Sequence, residues 1–297
     1  MANRMSWHVG SVKISRVLEF EMPVLTPDVL YPGITPAHLE RNRSWLTPSL
    51  LDPASNRLMM AIHSFIIETP TSLILVDTCS GNDKSRPHKQ RYHQKSWPYL
   101  ENLGAAGYQP EDIQYVLCTH LHADHVGWNT RLVGGRWIPV FPNARYLFAA
   151  KDLEYWQDEG QRGNYTDDPY FEDSIAPILE SGLADLVAMN HVIDEFVALE
   201  PSVGHTPGHV SVWIRSDGEE AVLSGDIMHT ALQCAEPELN SCFCIDAEMS
   251  RRTRRQFVER HADSNTLILP AHFPTPTVGR IRRRSSGYRF IFDGQSD

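Results

Sequence analysis

An α/β fold of two packed β-sheets with helices outside them is the architecture this sequence predicts, on three observations. Runs of β-branched and aromatic residues bounded by proline or polar turns recur in both halves of the 297 residues. Helical stretches follow each half, as expected of layered sheets with outer helices. No internal repeat, low-complexity tract or Gly/Ser linker interrupts the chain, so one domain over 1–297 is preferred to two.

In chain order, Val12 to Phe20 reads as a strand, and Met59 to Glu68 with Leu73 to Asp77 as a hairpin around Thr69-Pro70-Thr71-Ser72. Between them, the segment at about 21–57 carries Pro23, Pro27, Pro32, Pro36, Pro48 and Pro53. That density argues against a long helix and for an irregular arm, read as a lid, an ordinary surface connection or a contact within a homodimer. Ser96 to Ala106 is expected to be a helix stopped at Gly107, with Pro110-Glu111-Asp112 opening a turn into the strand Tyr115 to Cys118. Arg136 to Val140 and Arg145 to Phe148 read as strands, Ala150 to Gln157 and Phe171 to Ser181 as helices. Strands return at Phe196 to Leu199, Val210 to Ile214 and Ala221 to Leu223, followed by a helix from Ala247 to His261 and a core strand from Thr266 to Leu269.

Composition narrows the function. Hydrophobic residues at 41% and charged residues at 22% exclude a disordered or fibrous chain. The 27 basic and 37 acidic side chains leave a net charge of -10, which disfavours nucleic acid and anionic membrane as partners and favours a small molecule. The basic runs Arg251 to Arg255 and Arg280 to Arg284 are read as a solvated helix face and a charged edge strand. The sequence shows neither an apolar run of membrane-spanning length nor the apolar region of a signal peptide at its start, so a cytoplasmic location is expected. Five cysteines are read as free thiols, and the Cys242-Phe243-Cys244 pair as too small a set for a metal site.

The chemistry is concentrated in Thr119-His120-Leu121-His122-Ala123-Asp124-His125-Val126-Gly127, directly after an apolar strand. His120 and His122 face the same way by the two-residue period, while Asp124 and His125 can serve a second point beside it. That spacing suits two metal ions. Four donors are too few to close two sites, so distant donors are required, and strand ends offer His205 in Gly204-His205-Thr206-Pro207-Gly208-His209, Asp226 after Ser224-Gly225, and His272 after Pro270-Ala271.

This set resembles the metallo-β-lactamase superfamily over nearly the whole chain, from Asp77 to His272. The resemblance implies an αββα sandwich of two mixed β-sheets with helices on the outer faces. It implies His120, His122 and His205 on one metal, Asp124, His125 and His272 on the other, and Asp226 bridging, with zinc expected and manganese, iron or cobalt as alternatives. Asp77, and His209 with it, are then supports that orient the ligand loop. Trp128 is either a pocket wall or core packing. Within the superfamily, Gly225-Asp226-Ile227-Met228-His229, Pro270-Ala271-His272-Phe273-Pro274 and Gly287-Tyr288-Arg289-Phe290 look closest to the methyl parathion hydrolase-like group, with N-acyl homoserine lactonases next. Lactonases often carry a tyrosine three residues after the bridging aspartate, where this chain has His229.

The implied activity is hydrolysis of an ester-type bond, a lactone or carboxylic ester foremost, by a metal-bridging hydroxide. Asp124 would shuttle the proton to the leaving group, and His229 would either donate a hydrogen bond to substrate or hold Asp226. Phosphotriesterase or thioesterase activity on the same fold is the alternative, and a non-catalytic metal-binding protein is the rival class. Substrate choice is expected to depend on the 21–57 arm and on Asp158 to Asp168, neither of which carries a recognisable code.

Overall fold

The structure is a computed structural model that describes residues 5–161 and 169–295. Of the segment Asp158 to Asp168, residues 162–168 lie outside the described residues. The first half supplies strands β1 (Ser6–Val9), β2 (Val12–Leu25), β3 (Leu51–Asp52), β4 (Arg57–Glu68), β5 (Leu73–Val76), β6 (Tyr115–Leu117), β7 (Thr130–Val133), β8 (Arg136–Pro139), β9 (Arg145–Ala149) and β10 (Ala184–Val187). The second half supplies β11 (Val197–Pro201), β12 (Val210–Ser216), β13 (Glu219–Gly225), β14 (Leu267–Pro270), β15 (Gly279–Arg284) and β16 (Gly287–Phe292).

Among the described residues one sheet runs β1-β2-β4-β5-β6-β9-β10 with β3 added to β4, and the other runs β11-β12-β13-β14-β15-β16. Both are mixed: β5, β6, β9 and β10 pair in parallel, as do β13 and β14, while the remaining neighbours in the two sheets are antiparallel. β7 and β8 form a separate hairpin. The helices are α1 (Pro27–Leu30), α2 (Pro36–Leu46), α3 (Tyr99–Ala106), α4 (Ala123–Val126), α5 (Ala150–Gln161), α6 (Tyr170–Ser174), α7 (Ala176–Glu180), α8 (Leu232–Ala235) and α9 (Ala247–His261).

Side-chain alternation along the strands builds the layers. In β5, Ile74 and Val76 face the other sheet while Leu75 faces α3, and in β13, Ala221 and Leu223 point inward while Val222 points toward α9. The inner core therefore joins Ile14, Phe65, Ile67 and Leu117 of the first sheet to Val210, Val212, Leu223 and Leu269 of the second. Tyr99, Leu103, Leu153 and Ile178 cover the outer face of the first sheet, and Leu46, Leu232, Phe257 and Val258 cover that of the second. This is the αββα sandwich. Apolar residues on both faces explain why the central strands read as nearly continuous hydrophobic runs. No helix among the described residues is long and apolar enough to cross a membrane.

Several local expectations change, and the solvated face of Arg251 to Arg255 is one, because Arg254 is buried and donates to the Pro237 and Ile227 carbonyls. The 21–57 arm is not irregular throughout: β2 runs on to Leu25, and α2 holds 11 residues. Proline is compatible with the first helical position, where Pro36 stands, and no further proline occurs before Pro48, so the helix meets no obstacle in between. Arg280 to Arg284 is not an edge strand, because β15 is paired on both sides and the edge is β16. Phe171 to Ser181 is broken at Ile175 into α6 and α7. Pro177 has no N–H to offer the Asp173 carbonyl four residues back. That carbonyl instead accepts from Lys84 Nζ at 2.9 Å and from the Thr130 hydroxyl. Strands β1, β7 and β10, each only four residues long, are absent from the sequence reading, as are the two-residue β3 and the edge strand β16.

The Asp173 side chain completes the same anchor. Its carboxylate accepts from Arg86 Nη1 at 2.6 Å and Nη2 at 2.8 Å, and Lys84 Nζ lies 3.5 Å from Oδ1, with all three side chains buried. The network ties the segment after β5 to α6. Asp173→Ala leaves two buried cations without their carboxylate, and is expected to cost about 3–5 kcal/mol in urea unfolding. A loss below about 1 kcal/mol would mean that water reaches the pair.

Candidate metal centre

The candidate ligands sit at strand ends. β5 ends at Val76, and Asp77 follows with φ 58°, turning its carboxylate back under the next loop. There Asp77 Oδ1 accepts from Thr119 N at 2.7 Å, and Oδ2 lies 2.9 Å from His125 Nδ1. The expected support is in place. It directs His125 Nε2 away from itself and toward Asp226. α4 then presents Asp124 and His125 from one helical turn. Gly127 permits this turn: a Cβ there would lie 2.0 Å from the Ser80 carbonyl carbon.

Other supports were not legible in the sequence. Asp152, on α5, accepts from Leu121 N at 2.8 Å with Oδ2 and from Gly208 N at 2.9 Å with Oδ1, which joins the HxHxDH loop to the loop carrying His205. Glu19, on β2, accepts from Ser80 N and Gly81 N at 3.0 Å, from Trp128 Nε1 at 2.7 Å and from the Ser80 hydroxyl. Trp128 therefore packs in the core, stacked on Tyr99 at 5.3 Å, and takes the second of its two expected roles. His209 supports as expected: its Nε2 accepts from Asp226 N at 2.9 Å, and its Nδ1 meets Ser202 Oγ at 2.8 Å. Burial draws His209 down to about 3, which keeps it neutral for that acceptor role.

The seven predicted donors converge as two groups, His120, His122, His205 and Asp226, and Asp124, His125 and His272. Asp226 lies between them. Its Oδ2 is 3.1 Å from His205 Nε2 and 3.8 Å from His120 Nε2, while Oδ1 is 3.0 Å from His272 Nε2 and 3.4 Å from His125 Nε2. His122 Nδ1 lies 3.0 Å from His120 Nε2 and 2.8 Å from His205 Nε2. Ligand nitrogens about 2.0–2.1 Å from a tetrahedral ion stand roughly 3.3 Å apart, so this spacing fits one ion. Asp226 Oδ1 and His125 Nε2 are buried with no hydrogen-bond partner, as donor atoms left for a metal would be. The His/Asp cluster is a binuclear metal-binding site.

Electrostatics agree. Burial pulls His120 and His122 well below the ordinary histidine value, toward the neutral, ligating form. Burial also opposes charge on His125, His205 and His272, but the Asp226 carboxylate outweighs it and raises all three, His205 to about 9. These imidazoles take protons where cations are wanted, a demand that bound metal would meet instead. Outer partners hold the rings: the Ala61 carbonyl is 3.2 Å from His272 Nδ1, and Cys244 Sγ is 3.7 Å from His205 Nδ1.

His229 is buried beside the cluster, with Nε2 3.2 Å from Asp226 Oδ2 and burial drawing it down to about 4. The sequence reading missed Tyr92, whose hydroxyl donates to Asp124 Oδ2 at 3.2 Å. Nothing near Tyr92 in sequence marks it; the Arg86–Asp173 anchor brings its loop to the site. Above the cluster opens a cavity of about 130 Å³, floored by His122, Asp124, Asp226, His229 and His272 and walled by Val24, Leu25, Met60, Ile62 and Phe243. Lys89, Arg91 and Tyr92 form its other side. A larger groove of about 580 Å³ beside Trp45 and Arg289 is remote from these residues.

Fold and site together define a metal-dependent hydrolase class, and the metallo-beta-lactamase superfamily model matches residues 59–272. The chain belongs to that superfamily. It is 27% identical over 188 residues to the N-acyl homoserine lactonase of Bacillus cereus, covering 59% of this chain and 66% of that enzyme. It is 25% identical over 194 residues to the N-acyl homoserine lactonase AttM of Rhizobium radiobacter, covering 60% and 67%. The match thus spans just under two thirds of the Bacillus cereus enzyme. Among solved structures, the hydrolase AbOPH of the beta lactamase superfamily superposes with a TM-score of 0.82 at 24% identity, covering 100% of this chain and 99% of that one. The dizinc quorum-quenching lactonase AidC gives 0.77 at 19% identity, covering 98% of each chain. At those identities the superpositions speak for the fold.

Elemental analysis of metal-reconstituted protein is expected to find two ions per chain, and His272→Ala about one, since it removes a donor from one group only. A content at or below one in the unaltered chain would remove the binuclear site.

Glu19 gives a pH test of the loop support. Burial pushes it up to about 7 against its four donors, above the ~4.3 of an unfolded chain. The folded state binds this proton more tightly, so the Glu19 contribution is fullest below about pH 4.3, declines as pH rises toward about 7, and then levels. The difference in urea stability between the unaltered chain and Glu19→Gln is expected to change across that window. A flat difference would mean that the donors keep Glu19 ionised throughout.

Proposed function

We propose that this protein is a hydrolase of ester-type bonds, with a lactone or carboxylic ester as substrate and two divalent ions, zinc foremost, as cofactors. The observation that carries the reading is the position of Asp226 between two nitrogen-rich groups at the floor of an apolar pocket. His120, His122 and His205 would hold one ion, Asp124, His125 and His272 the other, and Asp226 both. Bound there, the ions would supply an ionised water near neutral pH and polarise the scissile carbonyl.

The chain's own groups handle orientation and the proton. Burial alone would raise Asp124, but His125 and His272 outweigh it and hold the carboxylate at about 2, ionised at neutral pH. Asp124 can then take the proton of the hydroxide once it has added to the carbonyl and pass it to the alkoxide that leaves as the C–O bond breaks. Tyr92 Oη, on Asp124 Oδ2, is the hydroxyl donor at the pocket side of that carboxylate. It can steer Asp124 or donate to the oxygen on which charge develops. His229 already faces Asp226 Oδ2 with Nε2, which favours its holding the shared carboxylate over meeting substrate. The pocket wall of Val24, Met60, Ile62 and Phe243 excludes water and suits an apolar acyl or alkyl group.

A panel of lactones, aryl esters, thioesters and phosphotriesters, assayed on the zinc and manganese forms, tests the reading. Turnover of lactones or aryl esters, lost on chelation and restored with metal, is expected. Tight binding of both ions with no turnover of any member would favour the non-catalytic reading, and turnover of phosphotriesters or thioesters alone would move the activity to those bonds.

Tyr92→Phe is expected to retain both ions and lower kcat by about a hundred- to a thousandfold, as loss of one donor to a developing charge does. Asp124→Asn is expected to lose part of the metal as well as rate. Unchanged kcat in Tyr92→Phe with full metal would remove the phenol from the mechanism.

A further inference from the structure

The charged residues lining the pocket are Lys89, Arg91, Asp124 and Asp226. The two carboxylates belong to the metal cluster, which leaves the guanidinium of Arg91 to face substrate. This runs against the molecule as a whole, whose net charge is -10. Among the described residues no carboxylate pairs with Arg91; the contact it makes is with the Tyr92 ring, 5.6 Å from the guanidinium carbon. Phe243, part of the apolar wall and 40% exposed, lines the same cavity as Arg91. The apolar wall and the guanidinium therefore meet at the same rim.

We propose that the site selects esters or lactones with an apolar chain that ends in a carboxylate, the chain lying along Met60, Ile62 and Phe243 and the anion pairing with Arg91. This rests on the hydrolase reading above and adds the substrate class to it. An unpaired guanidinium on a half-buried rim has paid little of the desolvation that a deep ion pair would require, and its planar fork matches a carboxylate. In a chain of strong negative charge, a cationic mouth also steers an anion to a place it would otherwise avoid.

Phenyl hexanoate and monophenyl adipate test the proposal, because they share the scissile bond and chain length and differ in a terminal methyl or carboxylate. The zinc-loaded protein is expected to favour the adipate ester in kcat/KM by about tenfold at low salt, the scale of one charge-assisted hydrogen bond, and by less as salt is raised. Arg91→Ala is expected to remove most of that ratio, Arg91→Lys to restore part of it and Arg91→Glu to invert it. A ratio at or below one in the unaltered chain, or one unmoved in Arg91→Ala, overturns the proposal. Calorimetric titration of the zinc-loaded protein with adipate and hexanoate reads the same selectivity without turnover. Tighter adipate binding that depends on Arg91 supports it, and equal binding overturns it. If neither ester is hydrolysed, the lactone, ester, thioester and phosphotriester panel decides the hydrolase reading, while the titration still decides whether the mouth selects anions.

Discussion

The buried carboxylate of Asp226 is the constraint around which the molecule is arranged. It is 3% exposed, with His205 and His229 against one oxygen and His125 and His272 against the other. Taking so many polar groups out of water is favourable only with cations among them and with every ring held in one orientation. The backbone N–H of Asp226 is fixed by His209, which is fixed in turn by Ser202. The order of the site therefore begins in β11 and β13, well before any substrate is present.

Three acidic side chains away from the metal-facing atoms complete that order. Asp77 holds the start of the HxHxDH loop, Asp152 joins it to the His205 loop, and Glu19 holds the backbone of Ser80 and Gly81, against which Gly127 packs. In each case a carboxylate accepts from backbone N–H groups that have left their strands and would otherwise be buried without partners. The polar cost of bending four strand ends toward one point is offset by these acceptors. The two sheets can remain regular and apolar beneath an irregular, fully hydrogen-bonded upper edge.

That division explains what the sequence disclosed. Ligands such as His120, His122 and His205 are rare residue types at spacings that only metal chemistry requires, and each follows an apolar run that marks a strand. Asp77 was legible only through the resemblance, as an aspartate that follows an apolar strand. Asp152 and Glu19 were not, because one aspartate on an amphipathic helix or one glutamate in a strand carries no local sign of what lies across the fold. Tyr92 depends on an ion pair between residues 87 positions apart, Arg86 and Asp173. The helix in the proline-rich arm was hidden by counting prolines rather than locating them, since Pro36 at the first helical position does no harm. The short strands β1, β7 and β10 exist through tertiary pairing more than through propensity.

The same reasoning separates chemistry from selectivity in this fold. The metal-facing residues come from strand ends whose positions are set by sheet register, and a shift of one residue would turn each to the other face. The pocket sides come partly from the first sheet, through Val24 and Leu25 of β2 and Met60 and Ile62 of β4, and partly from the loop that carries Lys89, Arg91 and Tyr92 and the segment around Phe243, which belong to neither sheet. Those segments can exchange an arginine for an apolar side chain without moving a ligand. Related chains can therefore keep the metal centre and differ in what they admit to it, which is why the superfamily match over residues 59–272 leaves the substrate to the residues at the rim.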